Sequence, residues 1–254
     1  GIDLSIGSLV KLSVLVSAIL MDGNPDNVMM AVGLTLALGL GVGLLHAFLI
    51  NELNLSPFVV TFASLFILQG ISLTITTKPI GRSSKDFLLL YSQKFLEVPI
   101  IVYFFGLVTL LVAFLLNMTV FGKHVYAVGG NLTVAELSGI PVKKIRYGVY
   151  GICSLLAAVT GLLWLMRMGV GDPVIGKELE LNAIIAVVIG GTSLFGGRGT
   201  VTGVIGGVLL LTFTDNLLVV LGVNQFVSGL VKGLIFVAAV ALYKPSESFQ
   251  RATA

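Results

Sequence analysis

Two charges stand where the chain is otherwise hydrocarbon: Asp215 in LTFTDNLLVV and Lys232 in SGLVKGLIFV. A charge at mid-membrane costs about 2.5–3.5 kcal/mol on insertion scales, so each needs a partner. Counted from a turn near Gly222 and Val223, Asp215 lies about eight residues before and Lys232 about nine after, which brings them to similar depth. They are expected to pair, with a stabilising role ahead of a transport role. Glycine-rich breaks supply the other polar groups, in GIDLSIGS at the start and VVIGGTSLFGGRGTVTG downstream. Asp3, Ser5, Thr192 and Ser193, with Asn182, offer hydrogen bonds to a hydroxylated solute or to water. The plainer reading is that they cap and pack helices.

Catalytic and metal chemistry find no support in the residue pattern. His46 and His124 have no Cys or carboxylate at ligand spacing, so no metal site is assigned. Gly122-Lys123 and Gly176-Lys177 are followed by His and Glu, so no phosphate-cradling Gly-x-x-x-x-Gly-Lys-Ser/Thr occurs. A Gly-x-Ser-x-Gly elbow is also missing. The chain is therefore read as a non-enzyme with no catalytic residue and no cofactor of its own, and any work against a gradient draws energy from elsewhere. Cys153, the one cysteine, reads as a small apolar space-filler.

The elements that must hold these residues are set by composition. The 254 residues are 56% hydrophobic and 11% charged, with mean hydropathy +1.07, too few charges to cover a water-soluble surface. An all-α, multi-pass transmembrane bundle follows. The net charge of +3 fits basic loops rather than a nucleic-acid partner. Eight apolar stretches are candidate spans: 6–21, 28–50, 57–75, 99–121, 147–166, 181–195, 201–221 and 226–243. The sixth is short and glycine-interrupted, as a broken or re-entrant helix would be. Lys11 is placed near the inner end of the first span, where its side chain can snorkel to the headgroups.

Loop charge gives the orientation. The connection 122–146 holds Lys123, Lys143, Lys144 and Arg146 against Glu136 alone, so it is expected in the cytoplasm. That places MDGNPDN, the 76–98 loop and RMGVGDPVIGKELE outside, and KPSESFQRATA inside with the start of the chain. Four basic residues in the 76–98 loop pull mildly the other way. Gly39 and Gly43, then Gly199, Gly203 and Gly207, then Gly229 and Gly233 recur at a four-residue spacing that suits close helix packing or a subunit interface.

Inside the basic loop, NLTVAELSGIP reads as a compact amphipathic helix. Thr133 and Glu136 stand three apart as a capping box, Gly139 suits a left-handed C-terminal position, and Pro141 prevents continuation. Under two turns long, it needs an external hold, either the membrane surface or a partner's groove.

Four stretches in order, GIDLSIGS, VYAVGGNLTVAELSGI, ELNAIIAVVIGGTSLFGGRGTVTG and GLVKGLIFVAAVAL, resemble the membrane permease subunit of bacterial ATP-binding-cassette importers, in the branch that includes ribose and other monosaccharide systems. The likeness covers essentially the whole chain. It implies a single permease domain over 1–254 in the bacterial cytoplasmic membrane, part of a fold of about ten spans. Because the chain begins with Gly inside a motif, two spans and a short tail, roughly 70 residues, are expected upstream.

The resemblance further implies a second permease, identical or not, two cytoplasmic subunits that hold ATP and Mg, an extracytoplasmic binding protein, and surrounding lipid. It assigns 131–140 as the helix that couples to the ATPase, with Asn131, Ala135, Ser138, Gly139 and Ile140 at the motif positions and the capping pair Thr133 and Glu136 within the same helix. Val134 stands where many relatives have Ala. The implied cargo is a ribose-like sugar; nucleosides, autoinducer-like furanosyl compounds and branched-chain amino acids are alternatives in the same class. From the residues alone, an ion-coupled carrier and a membrane-embedded enzyme are the rivals.

GIDLSIGS and GTSLFGGR also share Gly-x-x-Leu-x-x-Gly at Gly1, Leu4, Gly7 and Gly191, Leu194, Gly197, the trace an internal duplication would leave. Inverted repeats need opposite orientations, yet the loop charges put both stretches near the inner side.

Overall fold

The computed structural model describes residues 1–176 and 178–242; Lys177 and the tail from Tyr243, including the expected inner KPSESFQRATA, lie outside the described residues. Their backbone forms eleven helices: α1 (Ile6–Met21), α2 (Val28–Glu52), α3 (Pro57–Ile75), α4 (Lys85–Ser92), α5 (Ile100–Met118), α6 (Val120–Gly130), α7 (Leu132–Leu137), α8 (Val142–Met168), α9 (Leu179–Ile189), α10 (Val201–Val220) and α11 (Gln225–Leu242). One two-residue hairpin, β1 (Lys94–Phe95) with β2 (Val98–Pro99), pairs Lys94 with Pro99 and Phe95 with Val98. Five helices are long and apolar enough to cross a membrane; Ile6–Met21, Leu179–Ile189 and Val227–Ala239 are shorter apolar stretches. Chain contacts divide the protein into two compact units, Gly1–Glu180 and the residues from Leu181 on.

In the first unit α1 is the central helix. Leu9, Val14, Leu15, Ala18 and Met21 are fully buried, joined in the core by Leu162, Leu165 and Ile175. Burial nearly all round suits a helix that is mostly apolar on every side, its polar Ser8, Lys11, Ser13 and Ser17 being buried as well. Small residues let α2 and α8 meet: a Cβ on Gly39 would sit 2.5 Å from that of Ala158, and one on Gly43 would strike the Tyr150 carbonyl. By contrast α5 buries none of its residues and presents hydrocarbon outward, as a lipid-facing helix must.

Polar groups mark one end of this unit. Lys143 Nζ lies 2.7 Å from Glu52 Oε2, Asn51 Nδ2 donates to the Lys143 carbonyl at 3.1 Å, and Arg146 Nη1 donates to Asn51 Oδ1 at 3.3 Å. The start of α1 does not reach this basic end. The Thr61 hydroxyl donates to the Ile2 carbonyl at 3.2 Å, and Thr61 is already about 6 Å along α3 from Pro57. At 16 residues α1 is about 24 Å long, short of the roughly 30 Å hydrocarbon core.

The connection after α8 departs from expectation. Gly171 pairs with Ile80 in both backbone directions, 2.8 and 3.0 Å, beside Leu15 and Ala18 near the far end of α1. Its continuation does not stay outside with the rest of RMGVGDPVIGKELE. Ile175 enters the core, Leu179 packs against it, and the Glu180 carboxylate reaches Gly7, about 16 Å back along α1 from Ala18. The described residues on either side of Lys177 thus run back along α1, with the apolar Ile175 and Leu179 packed in the core.

Two further loops prove more ordered than their composition suggests. The 76–98 loop contains α4, capped by Ser84 Oγ accepting from the Phe87 N–H, and most of the hairpin. Much of the basic 122–146 connection is helix: α6 continues to Gly130 and α8 starts at Val142, leaving α7 between them. A break at Thr119, whose hydroxyl donates to the Leu115 carbonyl at 2.6 Å, separates α5 from α6.

The second unit packs α9 against α10 backbone to backbone. Any Cβ on Gly203 would collide with the Gly190 carbonyl, and one on Gly207 with that of Ala186. Ile185, Ala186 and Leu211 form its small core with Ile189 and Phe236. Neither Gly229 nor Gly233 has a neighbour within 4 Å of where a Cβ would stand. The proposed internal repeat fails structurally. Gly7 sits inside α1, whereas Gly191 and Gly197 have φ of +83° and +72° in the turn that follows α9.

Candidate translocation site

At the start of α1, Asp3 Oδ1 accepts from both the N–H and the hydroxyl of Ser5, at 2.9 and 2.7 Å. Ser5 is fully buried with its hydroxyl committed to this turn, and although it stands at the N-cap of α1 its side chain makes no cap bond to the helix. The other Asp3 oxygen faces His46 Nδ1 at 3.9 Å, while His46 Nε2 lies 2.8 Å from Ser64 Oγ. Tyr150 sets its ring edgewise to His46, centroids 6.3 Å apart. Asp3 Oδ2, His46 Nδ1 and the Tyr150 hydroxyl are sealed from solvent without a hydrogen-bond partner. Contrary to the sequence reading, His46 does have a carboxylate beside it. Among the described residues no group of three metal-ligating side chains occurs.

Lys11 corrects a second expectation. Instead of snorkelling it is only 7% exposed, enclosed in the bundle around α1. The inward start of α1 places Lys11 well away from the polar end, which its position in the sequence alone conceals.

In the second unit, Lys232 Nζ stands 2.9 Å from Asp215 Oδ1 and 3.4 Å from Asn182 Oδ1, tying α9, α10 and α11 together. The side chains of Lys232 and Asp215 are 15% and 42% exposed. Asn182, named as a pathway residue, is thus brought to the charge pair. Thr192 and Ser193 lie in the turn after α9. Ser193 Oγ accepts from the Phe195 N–H at 3.2 Å, and Thr192 Oγ1 would lie 2.8 Å from a Cβ on Gly199. Asp3 and Ser5 belong to the first unit and Asn182, Thr192 and Ser193 to the second.

The short helix α7 is capped differently from the expected box. Asn131, extended at φ −156°, accepts from the Val134 N–H at 3.0 Å through its side chain, so the helix begins two residues before Thr133 could cap it. At the other end Gly139 has φ +78°; its N–H bonds the Glu136 carbonyl and that of Ile140 bonds Ala135, a Schellman closure. Ser138 Oγ donates to the Val134 carbonyl at 2.8 Å. Ala135 is 3% exposed and faces inward, but Leu137 is 85% and Val134 57% exposed. These outward apolar side chains were not singled out in the sequence; their alternation with Ala135 over one turn is the signal that could have marked them.

Comparison with known proteins agrees in kind. The profile of the family described as "Branched-chain amino acid transport system / permease component" matches residues 1–240. The chain is 36% identical over 245 residues to "Ribose import permease protein RbsC" of Escherichia coli, covering 94% of this chain and 76% of that protein. It is 36% identical over 252 residues to "Probable ABC transporter permease protein y4mJ" of Sinorhizobium fredii, covering 98% and 74%. With "D-allose transport system permease protein AlsC" of Escherichia coli it shares 34% over 243 residues, covering 95% and 74%. No solved structure matches.

Proposed function

We propose, since the chain belongs to this family of transport-system permease components, that it carries a ribose-like monosaccharide inward through the bacterial inner membrane. It is a multi-pass ABC importer permease. That class membership leaves the ion-coupled carrier and the membrane enzyme without support. The sugar reading is carried by identities of 34–36% to import permeases for ribose and allose along nearly the whole chain.

Mechanistically, separate ATP-hydrolysing subunits supply the energy and an extracytoplasmic binding protein delivers the cargo. Connection 122–146 is cytoplasmic in this reading, and α7 seats in a groove of the ATPase subunit. Exposed Val134 and Leu137, on a helix too short to hold itself in water, support that seat. Asn131 and the Gly139 turn fix the helix ends, while Thr133 and Glu136 flank the contact. Nucleotide can shift the bundle between inward- and outward-open forms only if the ATPase grips α7 differently in the two.

Proteoliposomes holding the permease, its ATPase subunits and its binding protein test both parts. ATP is expected to drive accumulation of labelled D-ribose, and accumulation without nucleotide would overturn the assignment. Leu137→Asp is expected to remove nucleotide-driven uptake while leaving the amount of inserted permease unchanged. Undiminished coupled uptake in that variant would remove α7 from the mechanism.

A further inference from the structure

Two charged side chains far apart in sequence meet one face of α1, Lys11 buried and Glu180 half-buried with one carboxylate oxygen sealed from solvent. Lys11 is 7% exposed. Gly7, four residues earlier, shares its face. A Cβ on Gly7 would overlap Glu180 Oε2, with Glu180 Cδ 3.0 Å away, so the missing side chain is the notch that admits the carboxylate. Long side chains on a helix run back toward its N-terminus, which carries the Lys11 ammonium toward the level of that notch.

Yet the two do not close. Glu180 Oε2 is sealed with no hydrogen-bond partner, and neither residue belongs to an ion pair among the described residues. A fold that needed only to offset two such charges would bring them together, as Asp215 and Lys232 are brought at 2.9 Å. A sealed carboxylate oxygen left without a partner calls for an explanation, and a passing hydrogen-bond donor is one.

Their chemistry narrows that partner. The carboxylate accepts hydrogen bonds from hydroxyls, and the ammonium donates up to three to hydroxyl or ring oxygens. Encountered one turn apart along α1, opposite charges favour neither a net anion nor a net cation, leaving a neutral, hydroxyl-rich solute. We propose that Lys11 and Glu180 are the two jaws of a transient binding step for the sugar as it passes α1, an inference that rests on the sugar-import reading above. The packing of Ile175 and Leu179 against the core brings Glu180 to Gly7, and Lys11 stands one turn on along α1.

The test uses the complete importer in proteoliposomes with labelled D-ribose. Glu180→Gln and Lys11→Met should each lower uptake per assembled complex about tenfold, while ATP hydrolysis continues, so that more nucleotide is spent per sugar. The double variant should be no worse than either single, because one jaw without the other holds nothing. If uptake falls only in proportion to the amount of assembled complex, the pair is merely structural and the proposal fails.

A second measurement does not depend on rates. In a Cys153→Ser background, which removes the native thiol, Lys11→Cys should react with a charged thiol reagent during ATP turnover, and D-ribose should slow that reaction. Labelling indifferent to D-ribose overturns the jaws. Slowing by a zwitterionic amino acid but not by D-ribose overturns the hydroxylated cargo. Wild-type vesicles that accumulate no D-ribose remove the sugar reading and this inference together; wild-type vesicles that do, matched by Glu180→Gln, remove only this inference.

Discussion

Opposite charges sit inside apolar helices in both units of the molecule, and the two units treat them differently. Asp215 and Lys232 face each other across a hairpin that turns at Gly222, where φ is +69°, and they meet at 2.9 Å with Asn182 alongside. Lys11 and Glu180 come from opposite ends of the first unit, are carried to the same face of α1, and remain open. The first arrangement is local and retires its charges. The second takes a segment that runs back along α1 to assemble and leaves its charges available. A closed pair belongs to the scaffold; an open one is placed for something that comes and goes.

The sharpest way to break this comparison is to open the closed pair. Asp215→Asn leaves Lys232, whose side chain is 15% exposed, without its counter-charge. Breaking a fully buried pair costs about 3–5 kcal/mol and an exposed one under about 1; with side chains 15% and 42% exposed, a loss of about 2–3 kcal/mol is expected here. Thermal unfolding in detergent should show that loss for Asp215→Asn and for Lys232→Met, and the double variant should recover most of it. Sugar uptake per surviving complex should stay at the wild-type level. Additive losses would mean the two charges do not act as a unit.

Glycine contacts offer the next test, with a smaller effect. Gly7→Ala sets a methyl against the end of a side chain, the Glu180 carboxylate, whereas Gly203→Ala sets one against a backbone carbonyl, that of Gly190. Both overpack the bundle and should cost about 1–3 kcal/mol. Only the first can be relieved by trimming a side chain: adding Glu180→Ala to Gly7→Ala should restore thermal stability. No such restoration would show that the notch at Gly7 serves something other than the carboxylate.

What the sequence made legible follows the same division between local and distant. Each of the eight apolar stretches holds a helix, because hydrocarbon runs of that length satisfy their backbone in lipid that way. The fourth nonetheless breaks at Thr119, and the sixth leaves its helix after Ile189. The meeting of Asp215 and Lys232 could be counted from their shared turn. Lys11 and Glu180 could not, since nothing within GDPVIGKELE says that the chain turns back along α1; Ile175 and Leu179 become core residues only once α1 is there to receive them. His46 was passed over for the same reason, its neighbours Asp3, Ser64 and Tyr150 arriving from three other segments. Even at short range a competing rule can win. Thr133 and Glu136 match a capping box, but Asn131 is the stronger cap and takes the helix start.

That last contest gives the smallest expected effect and extends the comparison to the surface. If α7 is closed on itself at both ends, as Asp215 and Lys232 are closed on each other, its caps hold shape and its exposed Val134 and Leu137 do the docking. Asn131→Ala removes the acceptor of the Val134 N–H and should cost about 1 kcal/mol. Confined to one short helix, that loss would appear as roughly fivefold faster hydrogen exchange at the Val134 amide, with global unfolding unmoved. Thr133→Ala should leave the same amide unchanged, because the Thr133 side chain does not form the cap. The reverse ranking would restore the capping box and move the start of α7 two residues on. Val134 would then be the first residue of the helix, and Leu132 would fall outside it.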